Sequence, residues 1–360
     1  MAIQNAFTLT PNEIYNTLAN MIISQEVFAD NIGKHQTLVD KGRVDGTLYG
    51  DTKLYYATDV LKSAAWGNDA EAANLLDVSD RAADPAVQAI KLDVFRQIRL
   101  VVDNYLTKRA FSDEGTLASF NGVMLGWMRE TKRVYDGTNY NVYIGTTETN
   151  VGKQEQEIDI DTAVGSATGI EAAQLEATAI AKGLADLFVE MGDYSRDFND
   201  YGYLRDYSDE SIKVIWNSDY VNKIKKIDLP TIFHKEGLVD KFEEDVLPAK
   251  YFGTVNANAT VGNGTTVHAI TEMMIGSNHY FAGDLIKTTD TAPAGMSYTE
   301  SDDVICKVLV KLPPYMSAFE VGTTFFNPRS LTESHYLTFG HNTLAYLKNY
   351  PFITVKKASN

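Results

Sequence analysis

The chain has 360 residues, 44% of them hydrophobic and 22% charged, and a formal net charge of −16. That length and mixture describe a folded protein with room for two or three domains and exclude a disordered one. So acidic a chain is also a poor specific reader of nucleic acid, because phosphate contacts supply much of that affinity.

The start, MAIQNAFTLT, has no basic region followed by an apolar one, so no secretory signal is expected and synthesis is assigned to the cytoplasm. No run reaches the ~18 apolar residues of a membrane span. Thr10 and Glu13 then form a capping box around Pro11, and Ile14, Leu18, Met21 and Ile22 share one face of the helix that follows. This helix has no partner helix nearby in sequence, so its face must dock elsewhere. Gly42, Gly46 and Gly50 punctuate turns before the strand GDTKLYYATDV. The alanine-rich, acidic stretch 61–86, with Trp66, looks like an excursion from the core.

In AIKLDVFRQIRLVV, residues Ile90, Leu92, Val94, Ile98, Leu100 and Val102 alternate with a period of 2. A helix capped by Asp84-Pro85 is conceivable, but the alternation predicts a strand, and a long one of roughly 40 Å. It runs towards a helix predicted over 113–135. Ser112 is its cap, Asp113 and Glu114 occupy its first turn, and Leu117, Phe120, Met124, Trp127, Met128, Thr131 and Val134 form its stripe. Arg129, Lys132 and Arg133 are placed in its last turns, where the helix dipole favours them.

From Asn139 the texture becomes polar, with short strands. IEAAQLEATAIAKGLADLFVEM predicts a second helix with Leu175, Ala179, Leu187, Phe188 and Met191 near one stripe. ESIKVIWNSDYVNKIKK predicts a buried strand and a short helix capped by Ser218, and TVNANATVGNGTTVHAI a loop or hairpin. DVICKVLVKL, AFEVGTTFFN and NYPFITVKK predict strands. No internal repeat is visible.

Motifs that would carry chemistry are absent: no glycine-rich phosphate loop, HExxH, GxSxG or CxxC. The single cysteine, Cys306, sits in an apolar run and reads as a buried strand thiol rather than a nucleophile. His335 and His341 flank a glycine-containing segment and are taken as polar rather than metal-binding. Asp197, Asn199 and Gly202 fit three positions of a calcium loop, but Tyr201 and Ser208 fail two others. Glu155, Glu157, Asp159 and Asp161 alternate like the exposed face of a strand. No catalytic residue, cofactor or metal is therefore assigned.

The order of elements is distinctive: a solitary N-terminal helix, an excursion with an acidic tip, a strand running into one long helix, then a domain ending in C-terminal strands. Carried by GDTKLYYATDV, DVFRQIRLVVDNYLTKRAFSDEG, the helix 113–135 and IKVIWNSDYVNKIKKID, it resembles the major capsid proteins of tailed bacteriophages with the Hong Kong 97-like fold. The resemblance implies an α+β fold in four parts. These are an N-terminal arm (1–45), an extended hairpin loop (46–100), a peripheral domain with a long spine helix (101–138 and 316–360) and an axial domain (139–315). It implies a non-enzymatic structural protein of the virion. Pentamers and hexamers of such a protein form the icosahedral head shell around double-stranded DNA, with scaffolding, portal and decoration proteins as partners and no membrane. Ile14, Leu18, Met21, Ile22 and Trp66 are then expected at assembly interfaces. Arg129, Lys132 and Arg133 are expected to make non-specific contact with the genome. An alternative is a carbohydrate-binding or carbohydrate-degrading phage tail protein, for which the aromatic and acidic stretch 194–207 is the support.

Overall fold

The computed structural model describes residues 37–46, 52–61, 84–103, 114–146, 155–225, 243–260, 273–275, 278–280, 294–301, 303–318 and 321–358. In chain order the elements are α1 (Thr37–Gly42), β1 (Arg43–Asp45), β2 (Thr52–Ala57), β3 (Ala86–Asp103), α2 (Glu114–Gly145), β4 (Glu155–Ile158), α3 (Ile160–Val164), α4 (Ile170–Gly192), β5 (Lys213–Asn217) and α5 (Ser218–Lys225). They continue as β6 (Glu243–Leu247), β7 (Gly253–Thr260), β8 (Met273–Ile275), β9 (Asn278–Tyr280), β10 (Ala294–Glu300), β11 (Val304–Leu309), β12 (Tyr315–Ser317), β13 (Val321–Asn327), β14 (Thr332–Asn342) and β15 (Phe352–Lys357). Among the described residues, no helix is long and apolar enough to cross a membrane.

The chain divides into two compact units: Met1–Lys53, Ile90–Asn141 and Pro314–Leu344 in the first, Leu54–Ala89, Val142–Pro313 and Ala345–Asn360 in the second. The strand order in the first sheet is β1-β12-β14-β3-β2, with β13 also paired to β14. The alternation in β3 is real: its odd-numbered residues from Val87 to Val101 are exposed and its even-numbered ones are covered. At ~3.3 Å per residue its 18 residues span about 60 Å, longer than the periodic core suggested.

Helix α2 has 32 residues and is about 48 Å long at ~1.5 Å per residue. It runs ten residues past the expected end at Tyr135, through Asp136-Gly137-Thr138-Asn139, which are poor helix formers. Tertiary burial overrides propensity there, because Asp136, Tyr140 and Ile144 are all buried.

The second unit holds a five-stranded sheet in the order β4-β15-β11-β5-β6. Strand β11 is buried at every position, which explains its unbroken apolar run. On one face, Trp216, Cys306 and Val355 form a cross-strand row, as do Val214, Val308 and Ile353. These rows pack with Ile180, Leu184, Leu187 and Met191 of α4 in one core. The buried stripe of α4 differs from the expected one, since Leu175 is exposed and Ala177, Ile180, Ala181 and Leu184 lie inside. Gly183 is required by close approach: a Cβ there would fall 2.7 Å from Ile158 Cδ1. The C-terminal strand β15 belongs to this unit and not with 316–344, because it is hydrogen-bonded between β4 and β11. The segment after Gly253 is half of a pair rather than a local hairpin, and β7 finds its antiparallel partner in β10.

Candidate assembly surfaces

Helix α2 buries Met128, Lys132, Asp136 and Tyr140 at four-residue spacing. Two of the four are charged, and both have partners. Lys132 Nζ donates to Asp136 Oδ2 at 2.7 Å and lies 5.4 Å from the centre of the Phe339 ring. Tyr315 donates its hydroxyl to Asp136 Oδ1 at 2.6 Å, and Arg43 Nη2 stands 3.7 Å from Oδ2. Burial, and then the Asp136 carboxylate, push the Tyr315 hydroxyl far above the usual range.

His341 completes the layer beside this network. Its Nδ1 is 2.9 Å from the Asn342 carbonyl, which can only accept, so Nδ1 carries the proton. Nε2 is then free to accept from the Tyr135 hydroxyl at 2.9 Å. Burial lowers the His341 pKa below 6.5, which keeps the ring neutral at pH 7. The Tyr135 ring meets Phe339 edge-on, and Arg96 sits 4.7 Å from the Tyr135 ring centre. This is how α2 is held on the covered face of β3 and β14.

Of the three basic residues expected to face the genome, Arg129 and Arg133 are exposed and one turn apart. Lys132 is not with them: it is 5% exposed, and its ammonium is committed to Asp136, itself 1% exposed. The last-turn argument fails for all three, because the helix continues to Gly145. Ile14, Leu18, Met21, Ile22 and Trp66 lie outside the described residues.

The first unit leaves apolar side chains in solvent. On the odd face of β3, Phe95 and Val101 are exposed, and in β13 both Phe325 and Phe326 are. Gly340 lies opposite Phe95, and a Cβ there would come within 3.0 Å of the ring. This exposure was not read from the sequence, although a signal was present. Consecutive aromatics on a strand point to opposite faces, so a sheet covered on one side cannot hide both.

Several of the groups weighed for chemistry have structural roles. Cys306 is completely buried in β11, and burial pushes its thiol well above the usual range. Its neighbour Lys307, also buried, donates to Thr146 O at 2.8 Å and to Thr354 Oγ1 at 2.6 Å, capping the carbonyl end of α2. Asn199 closes a turn on Tyr203, giving its amide to the Tyr203 carbonyl and accepting from the Tyr203 N–H. Tyr201 and Tyr203 stack on each other, and Asp200 accepts from the Tyr346 hydroxyl at 2.5 Å. The stretch 194–207 thus engages Tyr201, Tyr203 and this carboxylate internally, while Tyr194 is exposed.

The acidic row from Glu155 is a strand only to Ile158. Asp159 instead caps α3, accepting from Thr162 N at 2.9 Å. Glu155 and Glu157 pair with Lys356, and Asp161 with Lys357. His335 and His341 stand six residues apart on β14. Among the described residues, no group of three or more His, Cys, Asp or Glu could hold a metal ion.

No family model matches the sequence, and no curated protein does. Its fold is similar to that of a chain in the capsid structure of Staphylococcus phage Andhra, with a TM-score of 0.58 at 8% identity, over 88% of this chain and 82% of that one. The likeness is one of fold. A chain in the structure of head fiber and inner core protein gp22 of native bacteriophage P68 is similar too, with a TM-score of 0.55 at 9% identity, covering 87% of this chain and 82% of that one. At 8–9% identity the likeness concerns backbone architecture alone.

Proposed function

We propose that this chain is the major capsid protein of a tailed phage, self-assembling through pentamers and hexamers into an icosahedral shell around double-stranded DNA. The observation that carries the reading is the fold similarity to a phage capsid chain over 88% of the sequence. The exposed apolar residues of the first unit support it, since a shell protein completes its burial against copies of itself.

In this reading the fold is Hong Kong 97-like. Residues 1–45 form the arm and 46–100 the extended hairpin loop. Residues 101–138 and 316–344 belong to the peripheral part, with α2 as its spine, and residues 139–315 together with β15 supply the axial part. Ile14, Leu18, Met21, Ile22 and Trp66 make contacts between subunits. Arg129 and Arg133 make non-specific contacts with packaged DNA, while scaffolding, portal and decoration proteins are further partners. The carbohydrate reading has no observation in its favour and is not carried further.

Deletion of residues 1–36, which stops short of α1 and its buried Leu38 and Val39, tests the arm. Burying four side chains such as Ile14, Leu18, Met21 and Ile22 is worth roughly 1.5–3 kcal/mol each before entropy is subtracted. If that face docks between subunits, the shortened chain keeps a native circular dichroism spectrum and a cooperative melt but forms no particles of normal size. Normal particles would show that the arm is dispensable.

A further inference from the structure

Among the described residues, β13 pairs only with β14, and every residue from 322 to 331 is exposed. The register places Val101, Ser334 and Phe325 in one cross-strand row, with Phe326 on the opposite face. Phe325 is 62% exposed, Phe326 47%, Val101 47% and Leu331 44%. With about 200 Å² for a phenylalanine, these four leave roughly 350–400 Å² of apolar surface around one hairpin end. It is divided between the two faces of the sheet at the β13 edge.

Two further features bear on what covers it. An uncharged edge strand with a free side invites another strand, and proteins normally protect such edges with charge, proline or a bulge. Here the seven ladder pairs run without a bulge. Residues 321–332 contain one charged group, Arg329, and no acid, in a chain of net charge −16. A like chain is repelled by most of this acidic surface and least by this segment. Leu331 adds a constraint. It has φ +51°, a conformation strained for a branched residue and relaxed for Asn or Gly. An exposed leucine held under strain is costly to the isolated subunit.

We propose that the outer edge of β13, with Phe325, Phe326 and Leu331 as its anchors, is a contact surface for a second copy of this chain. The inference rests on the shell reading and adds the place at which copies meet. The patch falls short of the ~800 Å² per partner of a stable pairwise complex, so each contact is weak alone and becomes effective by repetition in an assembly.

The test is sedimentation of the full-length chain over a concentration series, with circular dichroism melts of each variant. Phe325→Asp with Phe326→Asp should raise the concentration for half-association by at least about tenfold, with an unchanged spectrum and melt. Leu331→Asn should melt at the same or a higher temperature while associating more weakly, a pair of effects that misfolding cannot produce. Wild-type association with both variants matching it would overturn the contact and leave the shell reading intact. A wild-type chain that stays monomeric at every concentration would overturn both. A Leu331→Asn variant that melts lower and associates normally would show that the leucine serves only the hairpin.

Discussion

Replacing Asp136 by Asn removes one charge from the buried network and keeps the shape of the side chain. The carboxylate is 1% exposed and receives Lys132 Nζ at 2.7 Å and the Tyr315 hydroxyl at 2.6 Å. The amide can still accept from Tyr315, but it offers no charge to Lys132, which is 5% exposed. Breaking a buried ion pair by removing one partner costs about 3–5 kcal/mol, and the surviving hydrogen bond favours the low end, about 3 kcal/mol. For units of this size that is a fall in melting temperature of roughly 6–12 °C. The assay is thermal unfolding of the full chain followed by far-ultraviolet circular dichroism, with Arg129→Gln and Arg133→Gln as controls. Each control should stay within about 0.5 kcal/mol of wild type, as exposed substitutions do. A fall for Asp136→Asn no larger than that of the controls would refute the buried network, and would return Lys132 to the surface where sequence reasoning put it.

Gly145→Ala should be among the most damaging single changes, by about 3 kcal/mol, because a Cβ there would lie 1.9 Å from the Tyr251 carbonyl oxygen; urea unfolding measures it, and a neutral result would show that the close approach is not real. Acid should destabilise the first unit through His341. Its folded pKa lies below 6.5, so the unfolded chain takes up the proton first, and the contribution is complete above about pH 6.5 and lost as pH falls through the folded pKa. Urea midpoints between pH 7.5 and 5.5 should therefore drop less for His341→Gln than for wild type, and equal drops would count against this role. Cys306 should react with a thiol reagent more than about a hundredfold slower in the native protein than in denaturant; fast native labelling would contradict its burial.

The sequence told most where one physical signal acted alone. The alternation from Ile90 to Val102 could be read because one face of β3 is covered and the other is wet, and the unbroken run in β11 because both faces are covered. The end of α2 could not be read, because Gly137, Thr138 and Asn139 argue for a stop and only their buried neighbours keep the turn helical. That one error moved Arg129, Lys132 and Arg133 into a last turn that does not exist. The spacing from Lys132 to Asp136 did carry the ion pair, but it is equally the spacing of an exposed one, and burial separates the two. The row from Glu155 to Asp161 was misread past Ile158 because an Asp that caps a helix and an Asp on a strand face look alike until the chain turns. The exposed phenylalanines of β13 became evident only once the sheet had sides.

Negative-stain electron microscopy of the purified full-length protein tests the central claim most directly. Closed shells, or rings of five and six subunits, are the predicted result. Dispersed monomers at every concentration, with or without the other head proteins of the same virus, would contradict it.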